Sequence, residues 1–239
     1  MKGVVFTEFV ELVEGTFSPH LMDELFEAVS LKSGGAYTSV GTYDYLEMVA
    51  LATELSQRTG VAVPELLRAF GKQLLRQFVI KFPAFFETAN AFEFLERVDG
   101  YIHVEVKKLY PDAELPRFAV SRSGDDRLEM VYISDRPFED LAFGLIEGAI
   151  EHFGDSVEID RDTTDAGIRF VLTARCEEPA CLYNAPIAAP SVSVLPGSRP
   201  SNCLSRRVAN STRRICSCGR RATNWKNASR RERANSGWR

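Results

Sequence analysis

Two prolines, Pro111 and Pro116, divide the patterned part of this chain into regions whose apolar residues repeat differently. Ahead of them the repeat is three to four residues, the period of a helix that buries one face. Behind them short runs alternate, the two-residue period of strands. Helices first, then strands mixed with helices, predict an α+β fold with one antiparallel sheet. Val4, Val5, Phe9, Leu12, Val13 and Phe17 mark a first helix, and Pro19 starts a second through Leu21, Leu25, Phe26 and Val29. Ser33-Gly34-Gly35 reads as a loop; residues 43–57 form a third helix, with Thr42 as its cap and Thr59-Gly60 as its end. Pro64 suits the first turn of a fourth helix running to Lys81, with Phe70, Leu74 and Phe78 as one stripe. After Pro83 a single helix is expected over 85–109. Ile102, Val104 and Val106 also alternate within it, but the longer pattern favours helix. Strands are predicted over 118–121, 128–134 and 168–174, with Ser123-Gly124-Asp125-Asp126 as a hairpin turn, a helix over Glu139–Phe153, and a short strand over 157–159.

Beyond Arg175 the periodicity stops, and charge marks the same boundary. Residues 176–239 hold 12 Lys/Arg and 3 Asp/Glu, leaving 17 basic and 30 acidic residues in 1–175, so a net charge of -4 conceals parts of +9 and -13. All five cysteines (Cys176, Cys181, Cys203, Cys216, Cys218) and both tryptophans (Trp225, Trp238) lie in the basic part. That part reads as a disordered tail. Its abrupt change in composition also resembles a frame-shifted segment. A nucleic-acid role is not expected, and Cys216-Ser217-Cys218 is too tight for a usual zinc site. The first 175 residues read as an acidic, cysteine-free globular domain, which agrees with a reducing compartment. Acids follow Met1 too soon for a secretory signal, and no apolar run reaches about 18 residues. A cytoplasmic protein with no membrane span is expected.

Chemistry concentrates in residues 99–136. Residues i, i+2 and i+4 of a strand share one face, so Tyr132, Ser134 and Arg136 aim a phenol, a hydroxyl and a guanidinium at a common target. Such donors suit carboxylates, which the arginine fork matches in shape. About thirty residues earlier stands His103, and imidazole is the commonest protein metal ligand. A metal inside an acidic organic frame fits this set, and haem with its two propionates is such a group. His20 and His152 lack comparable company.

Further stretches carry a resemblance. Met1-Lys2-Gly3, Ser33-Gly34-Gly35-Ala36-Tyr37-Thr38, Gly41-Thr42-Tyr43-Asp44, Ile102-His103-Val104-Glu105-Val106, Leu109-Tyr110-Pro111-Asp112-Ala113-Glu114-Leu115-Pro116 and Tyr132-x-Ser134-x-Arg136 together resemble the haem nitric oxide/oxygen binding family, bacterial relatives of the haem domain of soluble guanylate cyclase. The likeness spans 1–175 and leaves out the tail. It implies a helical distal part, about 1–65, packed on a proximal part, 66–175, that carries the antiparallel sheet, with haem b (iron protoporphyrin IX) between them. It implies His103 as the axial ligand to iron, Tyr132, Ser134 and Arg136 as propionate binders, and Pro116 as the residue that presses on and distorts the porphyrin. Val5, Leu74, Phe78, Leu141 and Leu145 fall where the family lines the distal pocket.

Members that hold oxygen resemble one another in a tyrosine where this chain has Leu141, with polar support where it has Phe9 and Leu74. A pocket without donors favours nitric oxide over polarised dioxygen. The resemblance therefore implies a sensor, not an enzyme. Nitric oxide, or carbon monoxide, is the ligand, release of His103 is the trigger, and a histidine kinase or a cyclic-di-GMP enzyme is the partner in trans. Some relatives hold zinc through four cysteines. Only Cys176 and Cys181 lie near that region here, and Glu139 stands where such relatives can carry cysteine. The competing readings are an oxygen or redox sensor of the same family, a peroxidase-type haem enzyme, and an interaction domain without haem.

Overall fold

The computed structural model describes residues 1–175. The expectations for the tail and for Cys176 and Cys181 lie outside the described residues. The helices α1 (Gly3–Thr16), α2 (Pro19–Ala28), α3 (Tyr45–Thr59) and α4 (Val63–Lys81) come first. A short 3₁₀ turn (Pro83–Phe86) leads to α5 (Ala91–Arg97), a π turn (Val98–Ile102) and α6 (His103–Leu109). Strands β1 (Arg117–Ser123) and β2 (Arg127–Ile133), helix α7 (Glu139–Phe153), and strands β3 (Val157–Thr164) and β4 (Gly167–Ala174) complete the order. The four strands form one antiparallel sheet in the order β1-β2-β4-β3, so α7 carries the chain past the position β4 later fills. This is the α+β architecture that the two periodicities predict. Among the described residues no helix is long and apolar enough to cross a membrane.

Local chemistry explains the ends of the helices. Ser18 caps α2 by accepting from the Leu21 N–H at 3.1 Å, with Pro19 in the first turn. Gly60, at φ 73°, ends α3 in the left-handed region that a side chain would disfavour. Two expectations need correction. The cap of α3 is Asp44, whose carboxylate accepts from the Leu46 N–H at 3.1 Å, because the Thr42 hydroxyl is turned toward Asp112. The single helix expected over 85–109 starts at Ala91, capped by Asn90, and widens into the π turn immediately before His103. The strand expected at 157–159 extends to Thr164, paired along its length with β4.

Two apolar clusters form. In one, Phe6, Phe9 and Val13 of α1 meet Met22, Leu25, Met48, Leu51, Leu55, Leu67, Phe70 and Leu74. In the other, Leu128, Met130, Tyr132, Phe170 and Leu172 of the sheet pack on Ala142, Ile146 and Ala149 of α7 and on Phe92, Phe94 and Leu95 of α5. Helices α4 and α7 serve both, since Leu74 and Leu141 face the first and Leu75 and Ile146 the second. They approach backbone to backbone: a Cβ on Gly144 would lie 2.0 Å from the Arg68 carbonyl oxygen, so only glycine fits. On their outer side Arg68, Lys72 and Arg76 of α4 pair with Glu147 and Glu151 of α7.

Candidate cofactor site

A cavity of about 910 Å³ opens between the two clusters. This is the upper end of the roughly 300–1,000 Å³ usual for ligand pockets. All ten residues that the sequence reading names border it: Val5 from α1, Leu74 and Phe78 from α4, Leu141 and Leu145 from α7, His103 at the start of α6, Pro116 ahead of β1, and Tyr132, Ser134 and Arg136 at and beyond the end of β2. Phe9 does not. It is buried behind the wall, edge-on to Phe70 at 5.3 Å.

His103 is held by its neighbourhood. Its side chain is 17% exposed, and Phe118 of β1 lies tilted against the ring, centroids 6.0 Å apart. Asp99, one helical turn back, accepts the Phe118 backbone N–H at 3.2 Å, and the same oxygen lies 3.5 Å from Nδ1 of His103. At that distance and angle no hydrogen bond forms, and Nδ1 is a buried polar atom without a partner among the described residues. Burial pushes the imidazole pKa below its ordinary value, with Asp99 opposing, so the ring is neutral near pH 7 and able to coordinate a metal. A short advance of Asp99 would give Nδ1 the carboxylate partner that metal-binding imidazoles usually have.

The donor trio converges for a reason other than the one expected. Strand β2 ends at Ile133, so Ser134 and Arg136 do not continue a strand face. They lie in a turn closed by the Arg136 N–H, which donates to the Ser134 hydroxyl at 3.1 Å. Tyr132 is buried on β2, opposite Phe118 and Ile168, and burial raises its pKa. The Arg136 guanidinium stacks over the Tyr45 ring at 5.0 Å and pairs with the exposed Glu114 carboxylate. Gly167 closes this rim. A Cβ there would lie 2.2 Å from the Tyr132 carbonyl oxygen, and its φ of 144° further favours glycine.

Asp99, Glu114, Tyr110, Lys2 and Gly167 were given no role from sequence. Asp99 had a signal, since it stands four residues before His103 on a helical pattern. Of the remaining histidines, His20 is exposed 3.3 Å from Glu24, and His152 packs edge-on against Phe86 and Phe153. No cluster of three or more His, Cys, Asp or Glu suited to a metal occurs among the described residues, so Glu139 is not part of one.

A wide apolar cavity with one buried imidazole on a wall and a hydroxyl–phenol–guanidinium rim fits a flat macrocycle that carries a metal and peripheral carboxylates. That defines a site of the haem-protein class. The Haem-NO-binding family model matches residues 2–161, and the chain belongs to that family. An H-NOX protein from Shewanella woodyi, solved in solution bound to IWP-051 in its Fe(II)CO state, is 40% identical with a TM-score of 0.66, the match covering 77% of this chain and 99% of that one. The unliganded Fe(II) H-NOX protein from K. algicida is 35% identical with a TM-score of 0.69, over 73% of this chain and 97% of that one. An H-NOX protein from S. oneidensis in the Fe(II)NO state shares the fold at 23% identity, TM-score 0.69, over 73% and 99% of the two chains. A search of curated proteins returned no match.

Proposed function

We propose that the domain is a nitric oxide sensor that uses haem b. His103 holds the iron, Tyr132, Ser134 and Arg136 hold the propionates, and Pro116 presses on the macrocycle. The observation that carries the gas assignment is the make-up of the opposite wall. Helices α4 and α7 bring Leu74, Leu75, Phe78, Leu141, Ala142, Leu145 and Ile146 to the cavity and no hydroxyl, amide or charge among the described residues. The tyrosines that border it, Tyr110 and Tyr132, come from the end of α6 and from β2. Held by these residues, haem would supply a ferrous iron able to take up a diatomic gas. Dioxygen at such a site gains from a donor at its outer atom, and this wall supplies none; nitric oxide needs one far less.

Loss of a His103 bond to that iron would free α6, and the distal half (about 1–65) would shift against the proximal half (66–175). A gas acts only through such a difference between two states. The output goes to a partner in trans, a histidine kinase or a cyclic-di-GMP enzyme, in the cytoplasm. The relative from Shewanella woodyi solved in its Fe(II)CO state supports gas binding in this family, with carbon monoxide as a second ligand. The test is the visible spectrum of the reduced protein in air and under nitric oxide. Expected are no oxygen-bound spectrum in air and, under nitric oxide, a Soret shift that marks loss of the axial imidazole. A stable oxygen-bound spectrum overturns the gas assignment, and no haem uptake overturns the reading as a whole.

A further inference from the structure

The link between α6 and β1, residues 110–116, borders the cavity through Tyr110, Glu114, Leu115 and Pro116. Two carboxylates stand two residues apart on it, and each meets a cation from elsewhere in the fold: Asp112 pairs with Lys2, Glu114 with Arg136. The two pairs are built differently.

Asp112 is fastened. It accepts from the Lys2 ammonium at 3.2 and 3.3 Å and from the Thr42 hydroxyl. The same ammonium donates to the Val40 carbonyl at 2.9 Å and to the Thr42 hydroxyl at 2.8 Å, and the Lys2 side chain is only 10% exposed. Next along the chain, Ala113 is buried and its N–H donates to the Tyr110 carbonyl at 2.9 Å. Anchored backbone on this side, with Leu115 and Pro116 on the cavity wall beyond, delivers Glu114 to one place.

The Glu114 side chain itself is not fastened. It is 69% exposed, and its one side-chain partner among the described residues is the Arg136 guanidinium. Arg136 does not depend on that pair for its position. Its N–H donates to the Ser134 hydroxyl at 3.1 Å, its carbonyl accepts from the Phe138 N–H at 2.9 Å, and its guanidinium lies over the Tyr45 ring. Glu114 meets Nη2, the nitrogen that supplies a hydrogen to both two-pronged edges of the fork. A second carboxylate arriving at Arg136 therefore finds the charge balanced and one prong taken. The existing pair is cheap to break, because so exposed a carboxylate regains water as it leaves.

We propose that Glu114 is a built-in competitor for the cofactor's carboxylates at Arg136, and so a residue that sets how long the domain retains haem. The proposal rests on the reading of Arg136 as a propionate binder. It gives the rim a tempered hold: without the Glu114 charge, Arg136 serves the propionates alone and retention rises.

The test is the rate at which the haem-loaded full chain gives up its cofactor to an excess of apomyoglobin. Parent, Glu114→Gln, Arg136→Ala and the double variant are each loaded with haem or with haem dimethyl ester, which has no free carboxylate. Glu114→Gln keeps the shape of an exposed side chain and removes only its charge. Loss of haem from Glu114→Gln is expected to be slower than from the parent by about threefold to fivefold, the scale of an exposed ion pair. With the ester, or in the Arg136→Ala background, the substitution is expected to change nothing. Asp165→Asn removes a charge from another residue that borders the cavity and has no ion pair to Arg136 among the described residues, and it is expected to slow the loss less. An unchanged or faster loss from Glu114→Gln overturns the competition, as does equal slowing by Asp165→Asn or slowing that persists with the ester. A parent that loses haem and its ester at the same rate overturns the propionate reading of Arg136, and the proposal with it.

Discussion

At the scale of single residues, the site depends on a few groups with distinct tasks. Arg136, at the rim proposed for the propionates, stacks its guanidinium over the Tyr45 ring. Arg136→Ala is expected to speed haem transfer to an apo-acceptor by about tenfold or more, since an interaction with a charged group is worth roughly 1.5–3 kcal/mol; retention equal to the parent would count against the rim as a carboxylate site. Leu141→Tyr, by contrast, is expected to leave the reduced protein without a stable oxygen-bound spectrum. Its neighbours Leu74 and Phe78 give the phenol nothing to hold it in place. The trio Tyr132, Ser134 and Arg136 was legible as a set of donors, yet the strand alternation invoked for it ends at Ile133. A turn achieves the same convergence, and no two-residue period announces a turn. The Lys2–Asp112 contact spans 110 positions, and nothing local in either segment points to it.

At the scale of elements, punctuation made most helices readable. Ser18-Pro19, Pro64 and the left-handed Gly154 mark ends of α2, α4 and α7 by residues whose conformational preferences act locally. The π turn was not readable, because a five-residue bond leaves the apolar repeat of the flanking helices almost intact. The seam between α4 and α7 makes its own prediction. Gly144→Ala puts a methyl carbon against the Arg68 carbonyl, and overpacking of this kind costs about 1–3 kcal/mol. Urea denaturation of the two proteins checks it, with Gly15→Ala in α1, where a Cβ meets nothing within 4 Å, as the clash-free comparison that is expected to be slightly more stable than the parent.

At the scale of the molecule, acid should loosen the helical cluster through Glu47. This carboxylate is buried at the start of α3 and accepts from the Ser33 hydroxyl at 2.6 Å, the Ser33 N–H at 3.1 Å and the Tyr37 hydroxyl at 2.8 Å. Burial pushes its pKa up, the hydrogen bonds pull it down, and the net direction is down. A lowered folded pKa adds stability above the ordinary value of 4.5 that is lost as pH falls through the folded value. The stability gap between the parent and Glu47→Gln should be full at neutral pH and close in acid below that value; a gap independent of pH would show that the charge plays no part. The seam of bare backbone between α4 and α7 has one further consequence. Where glycines meet carbonyls there are no side-chain rotamers to absorb a push, so the two helices respond to force as one solid bar. A shift of α4 on one side of the cavity is therefore expected to carry α7 with it.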